Sequence, residues 1–307
     1  MSDFWRKLES KIAQTACPLV VGFDPVVEKM PEKFRGKDPA EAVPEYYSEL
    51  FAVLRRYVCA VKPNVAFYLA LGDDGIKILR NLVARIKESD PEMPIILDGK
   101  FNDIGHTAER YAEFARSLGV DAVILNPYMG SDTLKPFVER ELGIIVLGAT
   151  SNPSYEEIEG LLVGGRPLYV VVAERVSEWS RRFGEKLGLV VGATHPAAIE
   201  QIRSAAPDIP FLMPGIGAQG GDLGSAVKFG TTRDGFPPLI VSARYLTLNL
   251  GEDYLAESES RAEQLCSRIM RLTRKDSVRV PINTDFHIIK TPAPILSDAS
   301  AELTECK

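Results

Sequence analysis

The chain has 307 residues and a formal net charge of −6, from 36 lysines and arginines against 42 aspartates and glutamates. A protein that coats nucleic acid or an anionic membrane needs a basic face, so this balance argues against both classes. The hydrophobic fraction of 45% and the charged fraction of 25% match an ordinary soluble globular chain. No apolar run approaches the roughly 20 residues that a membrane-spanning helix needs.

The first seven residues, Met-Ser-Asp-Phe-Trp-Arg-Lys, lack the apolar stretch of a signal peptide and read as the start of an amphipathic helix. The cysteines lie far apart and form no C-x-x-C pair; they are Cys17, Cys59, Cys266 and Cys306. The three histidines are equally scattered. We therefore expect neither a zinc site nor a disulfide framework, and a reducing, cytoplasmic setting.

Eight short segments, rich in β-branched residues, recur along the chain. Each is nearly continuously apolar, which is typical of strands buried on both faces. They are residues 18–23, 58–62, 94–98, 121–126, 143–149, 188–193, 209–214 and 238–243. Helical stretches separate most of them, at 40–57, 74–87, 108–118 and 197–206. Strands that alternate with helices predict right-handed parallel crossovers.

One segment is ambiguous. Residues 168–173, Leu-Tyr-Val-Val-Val-Ala, have strand propensity, but they continue into a pattern of helical spacing that Arg175 alone interrupts. The apolar stripe consists of Leu168, Val171, Val172, Val176 and Trp179. We interpret this segment as a helix, which leaves eight strands and predicts an α/β fold of the closed (β/α)8 TIM barrel type. A nine-stranded open sheet is the alternative if the segment is a strand.

The chain changes character after residue 274. Residues 275–307 contain three prolines and show no sustained period. The pattern predicts a barrel domain over residues 1–274, followed by a C-terminal extension or linker.

The densest group of charges, Asp98-Gly99-Lys100-Phe101-Asn102-Asp103, ends the third predicted strand. Strand alternation places Asp98 and Lys100 on the same side. Alone, such a run is more often a solvated loop with an incidental ion pair. Two other predicted strands also end in charge, at Asp24 and Lys62. In a barrel these carboxyl ends meet at the mouth, where active sites form.

Two carboxylates and two ammonium groups at one place form a coupled network. An anionic substrate group beside Asp98 would be raised in energy, and its loss would relieve the repulsion. Lys100 could stabilise developing carbanion charge and then deliver a proton, because lysine is both a point charge and a proton donor.

A glycine-rich segment, residues 213–222, contains G-x-G-x-x-G after the seventh predicted strand. We disfavour a dinucleotide site, because a single strand follows and leaves no room for a Rossmann half. In barrels, phosphate commonly lies on the loops after strands seven and eight, and Arg244 after the eighth supplies a cation. The alternative is a tight turn with a surface arginine.

Thr150-Ser151-Asn152-Pro153 follows the fifth predicted strand. It could hydrogen-bond a polar heterocycle, although by itself it is more typical of a helix cap. His106 and His195 are interpreted as helix-start, loop or capping residues.

Together these motifs resemble the orotidine 5′-phosphate decarboxylase family, in its longer bacterial form, over roughly residues 15–250. The signature match is Asp98-x-Lys100-x-x-Asp103-Ile104 with Thr107, and Lys62 matches the lysine upstream of it. The segments at 150–153 and 214–222, with Arg244, match the element after strand five and the phosphate-binding elements. Three residues depart from the usual Asp-Ala-Lys-Arg-Gly-Asp, and none removes a charge of the network; they are Gly99, Phe101 and Asn102.

The resemblance implies a homodimer that converts orotidine 5′-phosphate to uridine 5′-phosphate and CO₂ in pyrimidine biosynthesis, with neither metal nor cofactor. It implies that Lys100 protonates the carbon that loses CO₂, that Asp98 crowds the departing carboxylate, and that Lys62 holds the charge network and contacts ribose. Asp103, the fourth catalytic residue, and Thr107 would reach the ribose hydroxyls in the neighbouring subunit's site. The substrate-binding residues would be Asp24, Thr107, Ser151, Gln219 and Arg244.

Two other functions stay open at this point. Related barrels with a similar Asp-x-Lys-x-x-Asp motif are magnesium-dependent sugar-phosphate lyases or decarboxylases, and Lys62 and the Gln219 loop argue against that group. A non-catalytic nucleotide-binding barrel is the second, and the presence of all four charged residues argues against it.

Overall fold

The computed structural model describes residues 2–216 and 220–276. The strands are β1 (Leu19–Phe23), β2 (Ala60–Pro63), β3 (Ile96–Phe101), β4 (Ala122–Leu125), β5 (Gly143–Ala149), β6 (Leu162–Val163), β7 (Arg166–Pro167), β8 (Leu187–Val191), β9 (Phe211–Met213) and β10 (Leu239–Ser242). The helices are α1 (Phe4–Thr15), α2 (Pro39–Leu54), α3 (Val65–Leu69), α4 (Gly75–Ser89), α5 (Gly105–Leu118), α6 (Lys135–Val138), α7 (Leu168–Phe183), α8 (Pro196–Ala205), α9 (Leu223–Gly230), α10 (Arg244–Thr247) and α11 (Tyr254–Asp276). Gln219 and almost all of the predicted extension lie outside the described residues, so those predictions stay predictions.

Eight of the strands form one parallel sheet in the order β2-β1-β10-β9-β8-β5-β4-β3. Bridges from Val61 to Ile95 and from Asn64 to Asp98 join β2 to β3 and close the ring. The predicted (β/α)8 TIM barrel is therefore confirmed, and the nine-stranded alternative is wrong. Since all eight strands are parallel, the residues that follow them share one mouth.

The strands are continuously apolar because they are buried on both faces. In β1, Val20 belongs to the cluster inside the barrel, while Leu19 and Val21 belong to the cluster between the strands and the helices. Helix α1 closes the amino-terminal end of the barrel, with Phe4 and Trp5 in the inner cluster. The predicted amphipathic helix at the N-terminus is confirmed.

The ambiguous segment is helix α7, as predicted, but its buried face differs from the predicted stripe. The buried residues of α7 are Tyr169, Val170, Ala173 and Val176. Helix α7 packs on β5, on β8 and on α8. The face that it buries is therefore rotated relative to the predicted apolar stripe. Arg175 is exposed and pairs with Glu178 at 2.8 Å, so it does not intrude on the core.

The expectation that the cysteines form no disulfide is wrong. Cys17, two residues before β1, is bonded to Cys266 of α11 across a sequence separation of 249 residues. Barrel closure brings the first strand beside the last helix, and sequence spacing carries no sign of this. Cysteine spacing therefore no longer supports a reducing compartment. None of the helices in the described part of the chain combines the length and hydropathy required to cross a bilayer.

Candidate active site

A cavity of about 550 Å³ opens at the carboxyl ends of the barrel strands. Such a volume is typical of small-molecule sites. Six of the predicted site residues line it, namely Asp24, Lys62, Asp98, Lys100, Ser151 and Arg244. The sequence motifs, which span more than 200 residues, therefore converge on one site.

Asp98 lies between two ammonium groups. Its Oδ2 accepts a hydrogen bond from Lys62 Nζ at 2.8 Å, and its Oδ1 accepts one from Lys100 Nζ at 2.6 Å. Lys62 and Asp98 are 5% and 7% exposed, whereas the side chain of Lys100 is about half exposed, at 47%. The cavity thus has a buried ion pair at its base and a more accessible ammonium beside it.

Burial and charge act in opposite directions on this network. Burial would raise the pKa of Asp98, but the charges of Lys62 and Lys100 outweigh it and hold the pKa below its ordinary value. Burial would likewise lower the pKa of Lys62, but the charges of Asp98 and Asp24 raise it. Both partners are therefore ionised at neutral pH.

Asp24, directly after β1, is the second carboxylate. Its Oδ1 accepts a hydrogen bond from the backbone N–H of Asn64 at 3.1 Å. Burial raises the pKa of Asp24 above its ordinary value, and the charge of Lys62 only partly offsets this.

Lys100 has an irregular backbone. The pairing of β3 with β4 shifts register between Leu97 and Phe101, and Lys100 has φ of +49°, in the left-handed region that non-glycine residues rarely adopt. Bulges often redirect a side chain beside an active site. We had placed Asp98 and Lys100 on one side because residues two apart in a regular strand face the same way. The two side chains do meet, but the strand is irregular here, so regular alternation is not the reason.

A second part of the cavity wall, after β10, suits an anion. Arg244 begins α10, and among the described residues it forms no ion pair with a carboxylate. The glycine-rich loop after β9 lies beside Arg244. At the start and end of this loop, which the structure describes, the Gly221 N–H donates to the Gly215 carbonyl at 3.0 Å. Gly215 has φ of +103°, which favours glycine.

The turn after β5 forms a third wall. Ser151 lines the cavity and caps no helix, because the short 3₁₀ helix Pro153–Glu157 begins after Asn152. Gly192 lies so close that a Cβ there would be 2.9 Å from Ser151 Cα. Glu159 also lines this wall, and the sequence analysis missed it. It lies in a loop of mixed glutamates and apolar residues, with no motif that could have indicated it.

Residues 19–248 match the family model described as the orotidine 5′-phosphate decarboxylase / HUMPS family. The chain belongs to this family. It is 40% identical to orotidine 5′-phosphate decarboxylase of Thermomicrobium roseum, over 89% of this chain and 97% of that one. It is 42% identical to the protein of the same name from Roseiflexus castenholzii, over 86% and 96%. Among solved structures, that of Leishmania donovani OMP decarboxylase matches this fold with a TM-score of 0.76 and a sequence identity of 34%. The match covers 89% of this chain and 99% of that one.

Two predicted site residues of this decarboxylase-family chain do not line its own cavity. Asp103 accepts a hydrogen bond from the backbone N–H of Ile104 at 2.8 Å, and Thr107 is exposed in the first turn of α5. The two histidines also lie outside the cavity. His106 pairs with Glu109 at 3.1 Å, and His195 stacks on Tyr155 with ring centroids 3.8 Å apart.

Two of the three residues that depart from the signature, Gly99 and Phe101, depend on each other. A Cβ on Gly99 would lie 2.3 Å from the ring of Phe101. Phe101 stacks on Tyr111 with centroids 4.8 Å apart, so its ring cannot move away without losing this contact. Gly99 is therefore required by Phe101. The third departure, Asn102, buries its Oδ1 with no hydrogen-bond partner among the described residues.

Gly99→Ala is expected to lower the free energy of unfolding by about 1–3 kcal/mol, as overpacking does. Urea unfolding measures this change. Gly99→Ala combined with Phe101→Leu should recover most of the loss, and Gly251→Ala is a control because its Cβ would make only an ordinary contact at 3.7 Å. Unchanged stability in Gly99→Ala alone would contradict the pairing.

Proposed function

We propose that this chain converts orotidine 5′-phosphate to uridine 5′-phosphate and CO₂ in pyrimidine biosynthesis. The observation that carries the proposal is the position of Asp98, held between Lys62 and Lys100 in a cavity that Arg244 also lines. The relatives are named for this activity. The site combines a negative charge, a proton donor and a phosphate-binding cation, which are the groups that this reaction requires.

The reaction needs no redox partner. The substrate carboxylate lies beside Asp98, and the repulsion raises the energy of the bound substrate relative to the transition state. The bond between the ring carbon and the carboxylate breaks, CO₂ leaves, and the electron pair stays on the carbon. Lys100 stabilises that charge and donates its proton to the carbon, and its neutral amine then regains a proton from water.

The other residues bind parts of the substrate far from the reacting carbon. Arg244 and the glycine-rich turn hold the phosphate, with Gln219 as a further predicted contact. Ser151 bonds the edge of the pyrimidine, and Asp24 and Lys62 contact the ribose. Such remote binding energy can lower the barrier at the reacting carbon.

An exposed apolar rim supports a homodimer. Large apolar side chains follow β2, β3 and β4, which are neighbours in the barrel, and they are Leu69, Ile104, Tyr128 and Met129. Tyr128 is 85% exposed. Because Asp103 and Thr107 lie on this same rim, we propose that each reaches the ribose in the partner's site. A cytoplasmic location, which we predicted from the cysteine spacing, stays a prediction.

The decisive experiment follows the ultraviolet absorbance of orotidine 5′-phosphate after chelator-treated protein is added. A steady loss of substrate absorbance is the expected result. No turnover together with tight binding of uridine 5′-phosphate would favour the non-catalytic barrel. Activity that appears only when Mg²⁺ is restored would favour the magnesium-dependent group.

Mixed dimers test the shared sites. Subunits carrying Lys100→Ala and subunits carrying Asp103→Ala should each be inactive alone. In a two-fold heterodimer, one of the two sites has both native residues, so about half of the wild-type activity should return. Steady-state rates of tag-purified heterodimers measure this recovery. Verified heterodimers that stay inactive would count against sharing.

A further inference from the structure

Glu159 makes an unusual double contact inside the cavity. Its Oε2 accepts a hydrogen bond from the backbone N–H of Thr150 at 2.7 Å, and its Oε1 accepts one from the Thr150 hydroxyl, also at 2.7 Å. Both carboxylate oxygens thus bind the residue that precedes Ser151. Hydrogen bonds to a charged acceptor are stronger than neutral ones, so this contact fixes the start of the turn.

The backbone of Glu159 is itself anchored. Its N–H donates to the carbonyl of Tyr155 at 2.8 Å, and its carbonyl accepts from the N–H of Tyr169 at 2.9 Å. Tyr169 is in the first turn of α7, where backbone N–H groups have no partner within the helix. Glu159 therefore links the turn after β5 to a long, packed helix.

The turn is also held from the side of β8. The Gly192 N–H donates to the Ala149 carbonyl at 2.7 Å, and the Thr194 hydroxyl donates to the Ser151 carbonyl at 3.3 Å. The close approach of Gly192 leaves Ser151 no room to move toward β8. The Thr150 hydroxyl lies within hydrogen-bond distance of both Glu159 Oε1 and Asn152 Oδ1, and it donates its single proton to one of them at a time. The Thr150 N–H contact keeps Glu159 at the turn in either case.

We infer that Glu159 is a positioning residue that holds the Thr150–Ser151 turn so that Ser151 can bond the edge of the pyrimidine. The inference rests on the proposed function. We assign Glu159 no proton-transfer step, because its two side-chain contacts are both with Thr150 and its role is to act through the turn. The same two hydrogen bonds hold the negative charge of Glu159 against the Thr150 turn. The charge is thereby kept at the wall of a cavity that must accept an anionic substrate.

Binding of two product-like ligands tests this role. Glu159→Ala should weaken the binding of uridine 5′-phosphate about 10- to 100-fold, as the loss of a charge-assisted contact would. Ribose 5-phosphate, which lacks the base, should bind within about twofold of wild type. Isothermal titration calorimetry measures both, and the KM for orotidine 5′-phosphate should rise more than kcat falls.

Two further variants separate positioning from loss of fold. In Glu159→Gln, the amide can accept from the Thr150 N–H and donate to its hydroxyl, so affinity should return to within about threefold of wild type. Thr150→Val keeps the shape but removes the hydroxyl, and it should show an intermediate, base-dependent loss. Glu157→Ala is the matched control, since it removes an exposed charge from the same loop.

The outcomes are distinguishable. Wild-type protein that fails to decarboxylate orotidine 5′-phosphate overturns the proposed function. Active wild-type protein with unchanged uridine 5′-phosphate affinity in Glu159→Ala and Thr150→Val overturns the role of Glu159 alone. Equal losses for both ligands also overturn it, because a base-positioning residue should not affect the phosphate. If Glu159→Ala does not fold, Glu159→Gln and Thr150→Val decide.

Discussion

Lys100→Ala is expected to lower kcat by at least about 10⁴-fold, because it removes both the proposed proton donor and the charge proposed to stabilise the carbanion. Product should still bind, since Asp98 keeps its 2.8 Å contact with Lys62 and the phosphate wall is unaltered. Single-turnover absorbance measurements give the rate of the chemical step, and calorimetry gives the affinity for uridine 5′-phosphate. The expected pattern is a severe loss of rate with little loss of product binding.

A second substitution separates the two roles of Lys100. Lys100→Arg keeps a positive charge beside Asp98, but a guanidinium does not release its proton readily. If proton delivery matters most, this variant should be nearly as slow as Lys100→Ala. Lys135→Ala, an exposed lysine paired with Glu139, is the control and should be unaffected. Near-normal turnover in Lys100→Ala would remove this residue from the proposed mechanism.

The sequence predicted the barrel because its strands are buried on both faces and therefore read as continuous apolar runs. The convergence of Asp24, Lys62 and Asp98 was predictable for a related reason, because charge at the end of a buried strand is conspicuous. Parallel strands bring those ends to one mouth, so local sequence sufficed to place them together.

Other features depend on distant contacts that local sequence does not contain. The Cys17–Cys266 disulfide arises because ring closure brings β1 beside α11. The buried face of α7 is set by simultaneous packing on the sheet and on α8, which periodicity alone does not describe. The contact of Glu159 with Thr150 depends on the path of the chain between them, and one of the three glutamates in Glu156-Glu157-Ile158-Glu159 gives no signal of it.

Arg244→Ala should weaken the binding of uridine 5′-phosphate about 10- to 150-fold, the range for loss of a charge-assisted hydrogen bond of about 1.5–3 kcal/mol. The affinity for uridine, which has no phosphate, should stay unchanged. Arg244 lines the cavity and among the described residues has no carboxylate partner, so its removal leaves no buried charge unpaired. Calorimetry with both ligands measures the difference.

The effect on turnover should exceed that on product binding if phosphate contacts lower the barrier at the reacting carbon. In that case kcat itself falls in Arg244→Ala, whereas uniform binding would change KM alone. Arg244→Lys should recover part of the affinity, because an ammonium supplies the charge but not the two-pronged geometry of a guanidinium. Arg175→Ala, an exposed arginine of α7, is the control. Equal affinities of wild type and Arg244→Ala for uridine 5′-phosphate would exclude Arg244 from the phosphate site.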